Sequence, residues 1–217
     1  MFLVLLLYAL FASVFTIAKT ALEFTSPLFL VGARMLIAGV ILLGYQLLVS
    51  KQSLSIGRQT WWRLILLAIF NIYLTNIFEF WGLRYLTSSK ACFIYSLSPF
   101  LSALFSYFLF SEKLSWKKWM GLSVGFLGFI PIMLSQTSSE AETGQLFFFS
   151  WAELAVMGAA ICSVYGWIIL KQLVNENNLS PLMANGVSMF IGGVFALSHS
   201  FAVEDWNPLP VTNYPIF

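Results

Sequence analysis

Long apolar stretches separated by short polar connectors dominate this sequence. A membrane-crossing helix needs about 20 mostly apolar residues, because in hydrocarbon each backbone amide must find its partner within the segment. Seven segments fit, and the connectors between them carry Ser, Pro, Asn and Gly breakers; the predicted spans are 2–22, 29–49, 64–86, 89–110, 118–135, 151–173 and 182–202. The pattern predicts an all-α integral membrane protein, a bundle of about seven transmembrane helices.

Composition narrows the class of protein further. Of the 217 residues, 59% are hydrophobic and 9% are charged, and the mean hydropathy is +0.86. Soluble domains carry about 25% charged residues, so a soluble enzyme and a disordered chain are both excluded. The apolar composition makes a lipid bilayer the expected partner, and the net charge of +2 is scattered, so we expect no nucleic-acid partner. Cys92 and Cys162 lie in apolar runs without CxxC spacing, and we expect no metal site and no cofactor.

The distribution of basic residues predicts the orientation. With the amino terminus in the cytoplasm, seven Lys and Arg residues fall in inner connectors and three in outer ones. An excess of basic residues in short cytoplasmic loops is the usual arrangement. The connector 136–148 carries two Glu residues and no base, which places it outside. We therefore predict a cytoplasmic amino terminus.

An internal repeat links the two ends of the chain. Residues 26–43 align with 180–197 at nine of eighteen positions, including the Ser-Pro start and two glycines. The second copy starts five predicted spans after the first, and because five is odd it enters the membrane with inverted topology. This gives a first five-helix repeat at 1–135, an outer loop at 136–150 and the first two helices of a second repeat at 151–217. Two full repeats need roughly 285–300 residues, so we expect the chain to be truncated.

The stretch 82–134 resembles the EamA domain of the drug/metabolite transporter superfamily. The resemblance rests on motifs around the fourth and fifth spans and on an arginine in the second: Tyr85-Leu86-Thr87-Ser88, Ser98-Pro99-Phe100, Glu112-Lys113-Leu114-Ser115, Gly121, Gly128 and Arg34 after Ser26-Pro27. It implies ten helices in two inverted repeats, in the bacterial cytoplasmic (inner) membrane. It also implies transport of small metabolites and no enzymatic activity. Against that pattern, we expect this chain to lack the last three helices.

Charged residues inside spans are costly and indicate functional sites. Arg34 lies five residues into the second span, about 7–8 Å deep, and Glu79 lies seven residues below the outer end of the third, roughly 10 Å deep. At matched depth the two charges either pair or together face a substrate, and Lys19 near the outer end of the first span can join them. Snorkelling to the interface is the alternative for Lys19 and Arg34. Glu79, with its shorter side chain, is the strongest candidate.

Polar residues in the third and fourth spans share helix faces. Tyr73, Asn76 and Glu79 occupy an arc of about 120°, which we expect to face protein or water. In the fourth span a stripe formed by Tyr95, Ser98, Ser102 and Ser106 lies within about 80°. We expect Tyr95 and Ser98 to line a cavity and the two later serines to serve helix packing.

Three further features have structural interpretations. Pro99 is predicted to kink the fourth span and free the carbonyl of Tyr95. Gly121-x-x-x-Gly125 with Gly128 predicts a close-packing face of the fifth span. His199, the only histidine, is predicted to lie at the membrane interface.

Together these features predict a secondary active transporter of a small metabolite, working by alternating access. An acid and a base near one entrance suit a zwitterion such as an amino acid or its derivative, and the resemblance adds S-adenosylmethionine-like metabolites. Two alternatives stay open. One is a truncated or split seven-helix remnant without independent transport, for which a homodimer or a partner chain would supply the missing helices. The other is a membrane-embedded enzyme, for which the spans offer no cluster of His, Asp or Glu.

Overall fold

The computed structural model describes residues 2–50, 57–110, 115–134, 143–146, 149–177 and 179–204. Several sequence features lie outside these residues: the Glu112-Lys113-Leu114 part of the family motif, the acidic connector 136–142 and the tail 205–217.

Helices account for most of the described residues. Each of the seven predicted spans contains helix, and two spans are interrupted. In chain order the helices are α1 (Phe2–Leu22), α2 (Pro27–Tyr45), α3 (Arg58–Leu67), α4 (Thr75–Tyr85), α5 (Ser88–Tyr95), α6 (Ser98–Phe110), α7 (Trp116–Leu134), α8 (Trp151–Asn177) and α9 (Pro181–Val203). Two π-helical segments, Gln46–Ser50 and Ala68–Leu74, follow α2 and α3. A two-stranded antiparallel hairpin, β1 (Gln145–Leu146) and β2 (Phe149–Ser150), precedes α8.

Within the described residues, five helical stretches are long and apolar enough to cross a membrane. They are Pro27–Leu48, Thr60–Tyr85, Ser88–Phe108, Trp151–Glu176 and Pro181–Val203. Each coincides with a predicted span to within a few residues. The all-α membrane class is thereby confirmed, whereas the full set of seven spanning helices, which adds α1 and α7, stays a prediction.

Local signals in the sequence fix several helix starts. α2 begins with a proline directly after Ser26, and α9 begins with one directly after Ser180. Proline suits the first helical position because its missing N–H would have no partner there. Before α8, the Ser150 N–H donates to Glu153 at 2.7 Å, and the Glu153 N–H donates to the Ser150 hydroxyl at 3.2 Å. This reciprocal capping box satisfies two amides that a helix start leaves unpaired.

α8 is the central helix of the bundle and contacts α3, α4, α5, α6 and the segment Ala68–Leu74. α2 and α9 form the most extensive helix pair. They cross at glycines: a Cβ on Gly39 would lie 2.6 Å from the Phe190 backbone nitrogen, and one on Gly193 would lie 2.7 Å from that of Leu36. Only glycine permits backbones to approach this closely.

The contacts between α2 and α9 obey a symmetry. Gly32 faces Leu197, and Gly186 faces Leu43, so contacting positions rise along one helix as they fall along the other. The two helices are therefore antiparallel. The contacts come in pairs related by 154 residues, the offset of the sequence repeat. Gly39 facing Phe190, for example, has its counterpart in Gly193 facing Leu36.

The predicted packing face of the fifth span is found at one glycine only. Gly125 lies against the ring of Phe100, whereas a Cβ added to Gly121 or Gly128 would meet no described atom within 4 Å. The expectation of a three-glycine packing face is thus wrong for Gly121 and Gly128 within the described residues, because no described helix lies against that side of α7.

Candidate functional site

The π-helical segment Ala68–Leu74 contains Tyr73, the first residue of the polar arc in the third span, and leads into α4, which carries Asn76 and Glu79. At its end the Thr75 hydroxyl donates to the Phe70 carbonyl at 2.7 Å. The wider turn of a π-helix changes the direction in which the following side chains point, and such segments are frequent at functional sites. Asn76 and Glu79, in the first turns of α4, are both buried. The arc therefore faces protein, and not lipid.

Glu79 and Tyr95 are joined by a hydrogen bond. The Tyr95 hydroxyl donates to Oε2 of Glu79 at 2.6 Å. Glu79 is only 9% exposed. Tyr95 is the last residue of α5, at the break that separates α5 from α6 just before Pro99. The Phe15 ring lies 5.5 Å from the Tyr95 ring, centroid to centroid. The break thus places a hydroxyl and an aromatic pair beside a buried carboxylate.

Arg34 reaches the same arc from α2. Its guanidinium donates to the side-chain oxygen of Asn76 and lies over the Phe80 ring, 4.5 Å from the centroid. Asn76 is itself held in place, because its amide donates to the Ile72 carbonyl at 2.6 Å. Arg34 is therefore directed into the bundle and does not extend to the interface.

The two charges share the site without a direct ion pair. Arg34 and Glu79 lie close enough to interact electrostatically, yet among the described residues no ion pair joins them, and each charge is hydrogen-bonded to a neutral side chain instead. The Arg34 Nε atom is buried and has no hydrogen-bond partner there. Such a donor is rare in a folded protein and requires an explanation. A ligand carrying an acceptor would supply one.

Two other predicted site residues, Tyr73 and Lys19, form their hydrogen bonds with partners outside this group. Tyr73 shares a hydrogen bond of 3.0 Å with Nδ1 of His199, so His199 contacts the third span. Lys19 donates to the carbonyl of Leu86 at the end of α4, where a cation is favourable beside unpaired carbonyls.

Ser98 lines a separate cleft of about 350 Å³ between α6 and α8. Ser102 and Ser106, assigned to helix packing from the sequence, line the same cleft together with Lys171. A second cavity, of about 330 Å³, is lined almost wholly by apolar side chains, including Leu101, Trp119 and Met157. It offers no charged group to a ligand.

A buried ion pair was missed by the sequence reasoning. The Lys90 ammonium lies 2.5 Å from Oε1 of Glu153, and their side chains are 5% and 0% exposed. Counting Lys90 as an outer-loop base hid this contact. The Ser-x-x-Glu signature that ends at Glu153 was present in the sequence and indicated the helix start, although not the partner.

A carboxylate also links the ends of α9 and α2. Glu204 accepts the backbone amides of Leu28 and Phe29 at 2.9 and 3.0 Å. It also accepts the Ser200 hydroxyl at 2.6 Å. An anion at a helix amino terminus satisfies unpaired amides and complements the helix dipole. Glu204 thus fastens the helix that carries Arg34.

Comparison with known proteins gives relatives over the whole chain. A protein named S-adenosylmethionine/S-adenosylhomocysteine transporter in Chlamydia muridarum is 39% identical over 218 residues, covering all of this chain and 68% of the relative. Its namesake in Chlamydia trachomatis is 40% identical, covering all of this chain and 66% of the relative. An uncharacterized transporter of Bacillus subtilis, YvbV, is 26% identical over 90% of this chain and 61% of its own length. No solved structure matches the chain.

The chain spans about two thirds of the length of the curated relatives that it matches. The model of the EamA-like transporter family matches residues 1–134, which agrees with the resemblance found in the sequence. Five apolar helices among the described residues fit that membership. The chain belongs to the EamA-like transporter family of the drug/metabolite transporter superfamily, and it is a multi-pass integral membrane protein.

Proposed function

We propose that this protein is a secondary active transporter that binds a small zwitterionic metabolite between Arg34 and Glu79. The cargo class we favour is an amino-acid derivative with a free carboxylate and a cationic centre, with S-adenosylmethionine and S-adenosylhomocysteine as first candidates. No step of the proposal requires a cofactor or a chemical reaction.

The observation that carries the proposal is the separation of the two buried charges. Arg34 has a neutral partner in Asn76 and an unpaired Nε, while Glu79 has a neutral partner in Tyr95. A carboxylate suits the planar donors of a guanidinium. A sulfonium or ammonium centre suits a carboxylate with the rings of Tyr95 and Phe15 close by. A zwitterion therefore completes contacts that the protein leaves open.

The relatives support the choice of cargo. Two proteins about 40% identical to this chain are named S-adenosylmethionine/S-adenosylhomocysteine transporters. Both named compounds carry an amino-acid end, and they differ in the charge at sulfur. Arg34 would hold the shared carboxylate, and Glu79 would respond to the cationic end.

Transport would proceed by alternating access between inverted repeats in the bacterial inner membrane, with the amino terminus in the cytoplasm. The antiparallel crossing of α2 and α9, with contacts that interchange under the 154-residue offset, supports inverted repeats. The segments 1–135 and 151–217 would then form the first repeat and part of a second. A homodimer or a partner chain would supply any helices that complete the bundle.

The proposal is tested by competition at the carboxylate end. Decarboxylated S-adenosylmethionine keeps the sulfonium centre and lacks the group assigned to Arg34. A hydrogen bond to a charged group contributes about 1.5–3 kcal/mol, so this analogue should compete with labelled S-adenosylmethionine about 10- to 100-fold less well than the unlabelled parent compound. Uptake by cells expressing the protein gives both inhibition constants.

In the Arg34→Gln variant, S-adenosylmethionine and its decarboxylated analogue should have similar inhibition constants, and both should compete weakly. Arg84→Gln, which removes an exposed base at the end of α4, is the matched control and should keep the discrimination. If Arg34→Gln still discriminates against the decarboxylated analogue, Arg34 does not hold the carboxylate and the proposed binding mode is wrong.

A further inference from the structure

The cleft between α6 and α8 has serines on its α6 wall and, on its α8 wall, the apolar side chains of Val164, Trp167 and Ile168 before Lys171. Its α6 wall is formed by Ser98, Ser102 and Ser106, which span about 12 Å along the helix. Its α8 wall ends at Lys171. The serine row begins one turn beyond Tyr95, whose hydroxyl bonds to Glu79. The cleft therefore runs along α6 from one turn beyond Tyr95 towards the ends of α6 and α8.

The polarity of the cleft comes from its serine hydroxyls. Some hydroxyls in this protein bond back to the preceding turn, as Ser96 does to the Phe93 carbonyl at 2.6 Å and Thr20 to the Thr16 carbonyl at 3.2 Å. Among the described residues, no hydrogen bond satisfies the hydroxyls of the three cleft serines. Polar groups without partners are unfavourable against hydrocarbon, so water or a polar ligand is expected in the cleft.

Lys171 adds a charge to this route. It is exposed and forms no ion pair with a residue that the structure describes. It lies near the end of α8 that the charge pattern of the sequence predicts to be cytoplasmic. A compact ammonium at one end of a row of serine hydroxyls is suited to a carboxylate, which accepts hydrogen bonds from both kinds of group.

We propose that this cleft is the cytoplasmic vestibule of the transporter and that Lys171 is an anion-recognising group at its mouth, taking the carboxylate of a zwitterionic substrate before it reaches Arg34. The inference rests on the proposed function for the identity of the substrate. The existence of an aqueous, anion-selective cleft is independent of transport and is tested separately.

The test is the labelling of a cysteine at Ser102 in a background that carries Cys92→Ala and Cys162→Ala. Two membrane-impermeant thiol reagents are compared, the anionic sulfonatoethyl and the cationic trimethylammonioethyl methanethiosulfonates. Ser102→Cys should react from the cytoplasmic side in inside-out vesicles. Ile37→Cys, on an exposed side of α2 in the middle of its apolar stretch, is the control and should stay unlabelled.

The charge assignment is read from the ratio of the two labelling rates. In water one positive charge at about 6 Å changes the local concentration of a singly charged reagent by about threefold. Lys171→Gln should therefore lower the anionic-to-cationic rate ratio by about tenfold. Lys171→Arg should preserve the ratio, and Lys117→Gln, at the exposed start of α7, should leave it unchanged.

Each result decides a separate claim. Absence of labelling at Ser102→Cys, repeated at Ser98→Cys in folded protein, would overturn the vestibule. If the anionic-to-cationic rate ratio is the same in Lys171→Gln as in the unmodified protein, Lys171 has no role in anion recognition. If the labelling results hold while S-adenosylmethionine uptake by the unmodified protein is absent, the vestibule stands and the proposed cargo fails.

Discussion

Glu79 and Arg34 illustrate what a sequence predicts about single residues and what it leaves open. The depth of both charges and the shared face of Asn76 and Glu79 follow from helical periodicity alone. Their hydrogen-bond partners do not follow from periodicity. Hydrogen bonds between helices depend on crossing angles, which cannot be read from the residue pattern of a single sequence. The sequence left pairing and substrate contact as alternatives for the two charges, and the structure gives each of them a neutral partner.

The buried pair of Lys90 and Glu153 yields a prediction at the scale of the residue. Removing one member of a buried ion pair leaves the other charge desolvated, at a cost of about 3–5 kcal/mol. Lys90→Met should lower the free energy of unfolding by that amount. Reversible denaturation by sodium dodecyl sulfate in mixed micelles measures the change.

A second substitution separates the charge from the helix cap. Glutamine at the position of Glu153 keeps the capping box with Ser150 and removes the charge. Lys90→Met combined with Glu153→Gln should therefore recover more than half of the lost stability. A double variant as unstable as Lys90→Met alone would show that the loss came from packing and not from the unpaired carboxylate.

At the scale of the element, hydropathy predicted where the helices run, and it missed how they are interrupted. Ala68–Leu74 is π-helical within a mostly apolar run that Asn71 interrupts, and hydropathy gives no signal that distinguishes a π-helical segment. The break between α5 and α6 falls just before Pro99, where a signal existed. Both irregular stretches adjoin residues of the proposed site, as expected where a helix must direct polar side chains inward.

The crossing of α2 and α9 gives a prediction at this scale. A methyl group at Gly39 would lie 2.6 Å from the Phe190 backbone nitrogen, so Gly39→Ala should force the helices apart. Overpacking of this kind costs about 1–3 kcal/mol. Thermal unfolding of the purified protein in detergent should show a lower midpoint.

Gly44 provides a matched control on the same helix. A Cβ added there would meet no described atom within 4 Å, and alanine favours helix over glycine by about 0.5–1 kcal/mol. Gly44→Ala should leave the midpoint unchanged or raise it. Equal losses for Gly39→Ala and Gly44→Ala would mean that the close crossing does not limit stability.

At the scale of the whole molecule, composition and the spacing of apolar stretches predicted the membrane class, and the resemblance of several motifs to a known family predicted the family. The repeat was also visible as Ser-Pro and glycine matches, and the symmetric contacts between α2 and α9 are what an inverted pair would make. The sequence did not predict that the three serines of the proposed vestibule line one cleft. These serines were divided between cavity and packing because their partner, α8, lies far away in the sequence.

The measurement that tests the central claim most directly is uptake of labelled S-adenosylmethionine by bacterial cells that express the protein and lack uptake of their own. We expect the unmodified protein to exceed empty-vector cells and Glu79→Gln to lose at least about tenfold of that uptake, because a charge-assisted contact to the cationic end is removed. Glu23→Gln, an exposed carboxylate beyond the end of α1, should transport normally. Uptake at the unmodified rate by folded Glu79→Gln protein, or no uptake by the unmodified protein, would contradict the account.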